Sequence, residues 1–205
     1  MLREGRVWFT IAVTIGDTTY QLRGLKRAQA RHFVALASTA IETFLTAVCT
    51  RYGSDLHRLA GELTQCSLRF FRQSQLEDWL PPIHARADVL QSPMLRSYAD
   101  DNARMAIDCL RAFLEDPEDT RRQWNDAFVA RELERYQPFF ETVERQPLTP
   151  MQRLVCVVNE DCNLVLAGAG SGKTSVIVGR AGYLVESGQA CPAEVLILAF
   201  GHKAS

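Results

Sequence analysis

Ala167-Gly168-Ala169-Gly170-Ser171-Gly172-Lys173-Thr174 stands between a short apolar run, Asn163-Leu164-Val165-Leu166, and a segment with helical patterning from Lys173 to Glu186. The spacing is that of a phosphate-binding loop, with alanine in place of glycine at the first position. To wrap a β-phosphate, several main-chain N–H groups must point inward, and only small residues let the backbone approach so closely. The helix that follows presents unpaired N–H groups and the positive end of its dipole to the anion. Lys173 supplies a mobile positive charge for the β- and γ-phosphates. Thr174 places a hydroxyl on the bridging Mg²⁺. A bare match relaxed to alanine or glycine at the first position arises in roughly one random chain in fifty of this length. Its position between an apolar strand and a helix adds the context the motif needs. The catalytic assignments are Lys173 and Thr174, with Thr174 as the metal contact through the bound nucleotide.

Working outward, Asn163 to Leu166 is predicted to be a strand buried in a parallel sheet. The helix is predicted to stop near Gly188. Glu194 to Phe200, with Val195, Leu196, Ile197 and Leu198, is predicted to be a second buried strand, completing one βαβ unit. Ahead of these, Leu148-Thr149-Pro150 turns into a helix, with Thr149 as cap and Pro150 at its first position. Gln146-Pro147 marks a boundary.

Upstream of that boundary the patterning changes twice. Val7, Phe9, Ile11, Val13 and Ile15 alternate, Gly16-Asp17 supplies a tight turn, and Thr18 to Leu25 alternates again, which predicts a hairpin. Residues from Lys26 to Glu144 have helical spacing. Phe33, Leu36, Ala40, Ile41, Phe44, Leu45 and Val48 mark one long amphipathic helix, which Gly53-Ser54 is expected to break. Ser74-x-x-Glu77 fits a capping box, and Pro81-Pro82 and Pro93 predict short helices between. Asp116-Pro117 reads as a cap with proline at the first helical position. The predicted organisation is a β-hairpin region over 1–25, a helical domain over 26–145, and the beginning of an α/β, RecA-like parallel sheet over 146–205.

The bulk properties fit a globular protein: 47% hydrophobic residues, 23% charged, and a net charge of −1. That charge gives no general pull toward DNA. The first 31 residues are locally basic, which reads as a solvated face. No uninterrupted apolar run reaches the roughly 18 residues of a bilayer span, so the expectation is a cytoplasmic protein with no membrane contact. The six cysteines form no C-x-x-C pair and suggest reduced, packed thiols rather than a metal site.

Three blocks together resemble the start of the helicase core of superfamily 1 DNA helicases of the UvrD/Rep type. Leu148-Thr149-Pro150-Met151-Gln152 is similar to that family's Q motif, Leu164 to Thr174 to its motif I, and Val195 to Ala204 to its motif Ia. The likeness covers about the last third of the chain, with a looser likeness ahead of it. The resemblance implies that Gln152 reads the adenine edge. Nucleotide contacts would come from Gln152, Ala167, Gly168, Ala169, Gly170, Ser171, Gly172, Lys173, Thr174 and Ser175. Phe200 and Lys203 would meet single-stranded DNA. Gly201-His202 departs from the threonine-asparagine of many relatives, so the family's hydroxyl contact is missing there.

The function implied is ATP-dependent, 3′-to-5′ DNA unwinding with ATP and Mg²⁺ as cofactors. Single-stranded or partly duplex DNA would be the partner, and the other helicase domains would act in cis or in trans. The chain stops at Ser205, ahead of the acidic pair, the arginines and the second RecA-like domain on which phosphoryl transfer relies. The fragment alone is therefore expected not to hydrolyse ATP. Two other readings fit parts of the sequence: a P-loop kinase, which does not account for Gln152, and a non-enzymatic partner-binding module built on the helices.

Overall fold

The computed structural model describes residues 2–4, 8–15, 17–168 and 170–198. The chain opens with a three-stranded antiparallel sheet in the order β1-β2-β3: β1 (Leu2–Glu4), β2 (Phe9–Ile15) and β3 (Thr18–Leu25). The alternation predicts β2 and β3, and Ile15 faces Thr18 across a two-residue turn. Gly16 of that turn lies outside the described residues, as does Val7. β1 was not predicted, because three residues are too few to show a period. The register slips between Phe9 and Ile11. Gly24, opposite that slip, has φ +75°, a left-handed conformation suited to an extra residue in one strand.

Nine helices follow among the described residues: α1 (Arg27–Cys66), α2 (Gln73–His84), α3 (Ala87–Gln91), α4 (Pro93–Tyr98), α5 (Asp101–Glu115), α6 (Pro117–Arg135), α7 (Gln137–Thr142), α8 (Pro150–Val157) and α9 (Lys173–Glu186). Gly53-Ser54 does not break α1, which runs unbroken for 40 residues. A glycine inside a helix costs only about 1 kcal/mol. Here Tyr52, Leu56, Leu59 and Leu63 around it pack into the core with Ala103, Ile107 and Leu110 of α5. Pro81-Pro82 likewise sits inside α2, in its last turn. The Ser74-x-x-Glu77 capping box is not formed. The helix starts earlier, Arg72 is the cap residue, and the Ser74 hydroxyl donates to Asp161 at 2.7 Å. Asp116-Pro117 does open α6, with the Asp116 carboxylate accepting from the Asp119 N–H at 2.9 Å.

The first part of α1 bears on the expectation of no membrane contact. An 18-residue window of that helix has a mean hydropathy of 1.6, and by length and composition the helix is apolar enough to cross a bilayer. Uninterrupted runs miss it because single polar residues such as Thr39, Glu42 and Thr43 punctuate the window. Leu36, Ile41 and Phe44 are exposed there, whereas Leu56 and Leu63 in the second half of the same helix are fully buried.

Two hydrophobic cores organise the helices. The larger joins α1, α2, α3 and α5 around Leu63, Phe71, Leu76, Ile83, Leu90 and Leu110. Asn125 of α6 locks a chain reversal into it, accepting from the Phe71 N–H at 2.7 Å and donating to the Phe71 carbonyl at 2.9 Å. This pairing satisfies a buried amide as a strand partner would. The second core crosses the predicted boundary. Phe128 of α6 and Phe140 of α7 pack with Leu148, with Cys156 and Val157 of α8, and with Tyr183 of α9. The Tyr183 hydroxyl donates to the buried Glu132 carboxylate of α6 at 2.7 Å. Burial first, then that hydrogen bond, pushes the phenol well above its usual range. Both partners are closed off from water, so the pair fixes α9 on α6.

A polar seam also holds the segment leading to the glycine loop. Glu160 accepts from the Gln73 N–H at 2.7 Å and from Arg121 at 2.8 Å, and Asp161 accepts from the Ser74 N–H at 2.9 Å. Both carboxylates thus sit on the first turn of α2, where a helix favours negative charge. The hydrogen bonds from Ser74 hold the Asp161 carboxyl below its ordinary range.

Candidate nucleotide-binding site

The two predicted parallel strands are not paired among the described residues. Residues 163–168 and 195–198 belong to no strand, helix or turn. Leu164 and Leu166 are 85% and 86% exposed, and Leu196 and Leu198 81% and 77%. A wholly apolar run predicts a buried strand only when neighbouring strands and helices cover both faces, and here those faces are open. The turn between them has local features of the predicted kind. Gly170 and Gly172 have φ +76° and +83°, and α9 starts directly at Lys173 with Gly172 as its left-handed cap. Only glycine adopts these angles readily. α9 ends as predicted, with Gly188 at φ +70° and its N–H bonded to the Val185 carbonyl.

The Lys173 ammonium folds back over its own loop, donating to the carbonyls of Ala167 at 3.2 Å and Gly168 at 2.7 Å. The Ser171 hydroxyl donates to the same Gly168 carbonyl at 2.8 Å. Gly168, Gly170, Ser171, Lys173 and Thr174 are exposed, while Gly172 and Ser175 are half-buried. Ala169 lies outside the described residues, as do Phe200, Gly201, His202 and Lys203, the expected DNA contacts.

Gln152 stands next to this loop. Thr149 caps α8, its hydroxyl accepting from the Gln152 N–H at 3.4 Å, and the Gln152 Oε1 accepts from the Thr149 N–H at 2.8 Å. The reciprocal box uses the Thr-x-x-Gln spacing legible in the sequence. It leaves Gln152 Nε2 aimed at the glycine loop, where it donates to the Ser171 carbonyl at 3.1 Å. A Cβ on Gly172 would lie 2.5 Å from Nε2, so a side chain there would push the Gln152 amide aside, and the positive φ favours glycine in its own right. The structure thus brings together residues about twenty positions apart that sequence reading assigned to one nucleotide.

What the sequence reading missed is how α8 and α9 are held. Gly179 lets α9 approach so closely that a Cβ there would meet Leu148 Cδ1 at 2.6 Å and Cys156 Sγ at 3.1 Å. Cys156, buried between the helices, has its thiol pushed up by burial to about 11, so it is a packed group and not a nucleophile. Arg180 donates from Nη1 to the carbonyls of Val155, Cys156 and Val158 at 3.4, 3.1 and 2.6 Å, and from Nη2 to Asn159 Oδ1 at 3.0 Å. Arg180 follows the apolar run Val176-Ile177-Val178 by two residues, and nothing local in the sequence points to its partners.

The loop's small residues, the exposed start of α9 and the Lys173 ammonium suit a Mg²⁺-bound polyphosphate. The first N–H groups of a helix have no intrahelical partner, and among the described residues the ammonium is held by loop carbonyls that an anion can replace. Thr174 would stand on the metal side, with Ser175 among the nucleotide contacts. The cleft between α1 and α5 lined by Thr50, His57, Tyr98, Asp100 and Asn102 lies elsewhere in the helical region and shares no residue with this site.

Residues 148–205 match the UvrD/REP helicase N-terminal domain. Among individual relatives, the chain is similar to DNA helicase IV of Escherichia coli (strain K12), with 46% identity over 123 residues. That match takes in 60% of this chain and 18% of the relative, so the chain spans about a fifth of that helicase's length. The matched length is greater than the segment 148–205, so the likeness reaches back into the helical region. No solved structure matches the chain.

Proposed function

We propose that the chain is the nucleotide-gripping start of an ATP-dependent 3′-to-5′ DNA helicase, in which residues 167–175 hold MgATP and Gln152 selects adenine. The observation that carries this reading is the Gln152–Ser171 contact, which sets a base-reading side chain against a glycine-rich helix start. In the bound state Gln152 Nε2 and Oε1 would exchange their main-chain partners for the adenine edge. Lys173 would leave the Ala167 and Gly168 carbonyls for the β- and γ-phosphates, and Thr174 would ligate Mg²⁺. The match of residues 148–205 to the UvrD/REP helicase N-terminal domain and the likeness to DNA helicase IV support the reading.

The same proposal gives the exposed apolar segments a role. Leu164 to Leu166 and Leu196 to Leu198 would become neighbouring parallel strands of a RecA-like sheet once further strands of that domain cover them. Phe200 and Lys203 would then face a DNA strand, by stacking and by charge. The hairpin region (1–25) and the helical region (26–145) would form the part ahead of this motor, working in the cytoplasm. A small-molecule kinase gives no reason for a glutamine to sit on the phosphate loop.

Gln152→Ala is expected to bring the ATP and GTP dissociation constants together, chiefly by weakening ATP about tenfold, the size of one or two hydrogen bonds. Equilibrium titration of both nucleotides with Mg²⁺ measures this. A preference for ATP that survives the substitution would remove Gln152 from base recognition.

A further inference from the structure

We propose that Arg180 is a positioning residue for base recognition: by clasping the end of α8 it holds Gln152 at the phosphate loop and so sets the preference for adenine. The inference rests on the nucleotide-binding reading given above. It begins from an unusual environment. The Arg180 guanidinium is half-buried, and burial, ahead of its neighbours, pulls its pKa below the ordinary arginine value. A desolvated cation needs compensating acceptors, and Arg180 finds four, none of them a carboxylate: three carbonyls at the end of α8 and the Asn159 side chain.

Those carbonyls are the unsatisfied acceptors and the negative dipole end of α8. A planar fork of donors suits them in a way that a single ammonium does not. The result is a helix pair fixed at two points. Near its start, α8 touches the phosphate loop through Gln152 and Ser171. At its other end it is gripped by Arg180, two turns into α9. Between them Gly179 admits Leu148 and Cys156, and the Cys156 thiol donates to the Val176 carbonyl at 3.6 Å.

α8 has only eight residues, about 12 Å of helix. A short rod fixed at one end transmits any tilt to the other. With Arg180 in place, Gln152 cannot drift from the base position without breaking the clasp. Without it, α8 is held on α9 chiefly by apolar packing, which is non-directional, and by the long Cys156–Val176 thiol contact.

The test compares nucleotide selectivity with a nucleotide-free readout. In Arg180→Met, which keeps the apolar stem and removes the donors, the ATP-over-GTP affinity ratio is expected to fall about tenfold. The loss should come from weaker ATP binding, with GTP unchanged, and the same substitution in a Gln152→Ala background should add nothing. In the nucleotide-free chain, nuclear Overhauser contacts between the Gln152 side-chain amide and Gly172 should be present in the wild type and lost in Arg180→Met. A wild-type chain that binds neither nucleotide overturns the functional reading, and the Overhauser contact then decides the positioning claim by itself. A chain that prefers ATP and keeps both preference and contact in Arg180→Met overturns the positioning claim alone. If Arg180→Met does not fold, Arg180→Lys is read the same way, and a wild-type ratio with the contact intact again overturns it.

Discussion

Lys173→Ala is expected to weaken MgATP binding by about 10- to 100-fold while leaving the melting temperature of the chain unchanged. Charge-assisted hydrogen bonds contribute about 1.5–3 kcal/mol each, and 1.4 kcal/mol is a tenfold change in affinity. Among the described residues the ammonium contacts the Ala167 and Gly168 carbonyls, and the side chain is exposed. Removing it takes nothing from either hydrophobic core. Calorimetric titration with MgATP beside a thermal melt separates the two effects. An unchanged dissociation constant would mean that the lysine does not engage the phosphates.

Phe140→Ala is expected to have the largest effect on stability. Its ring is fully buried, 5.8 Å from the Tyr183 ring, and its carbonyl accepts from the Leu148 N–H at 3.0 Å. Truncating a buried phenylalanine costs about 3–5 kcal/mol, since transfer free energy is lost and the cavity only partly closes. Phe140 joins α6 and α7 to α8 and α9, so the loss should reach the phosphate loop. Hydrogen exchange should quicken in α8 and α9 as well as in α6 and α7, and urea unfolding should shift as one transition. Unaltered protection of α8 and α9 would show that the helical and phosphate-loop regions are independent despite their shared core.

Side chains that satisfy main-chain groups close to them in sequence are legible in the sequence itself. Thr149-Pro150 and Asp116-Pro117 open α8 and α6, and Gly188 closes α9, because caps act over three or four residues. The alternation from Phe9 onward gave β2 and β3 for the same reason. Features that depend on distant partners were not legible. Gly53 looked like a break, yet α5 packs along α1 there. Leu164 and Leu196 looked buried, yet nothing among the described residues covers them. Arg180 carried no local pattern announcing that its partners lie more than twenty residues away.

The site was legible in its composition but not in its arrangement. Spacing alone assigned Lys173, Thr174 and the glycines, and the resemblance added Gln152. That Gln152 rests on the Ser171 carbonyl, and that Lys173 covers the loop, followed only from the structure. Together these contacts close the glycine loop on itself through the Lys173 ammonium and the Gln152 amide, so under the proposed function nucleotide binding must exchange both.

The most direct measurement follows the backbone amide resonances of residues 167–175 while MgATP is added to the 205-residue chain. Saturable shifts centred on Gly170, Gly172, Lys173 and Thr174, with the Gln152 side-chain amide moving in step, are the predicted result. Resonances that stay in place at millimolar MgATP, or that move only elsewhere in the chain, would contradict it.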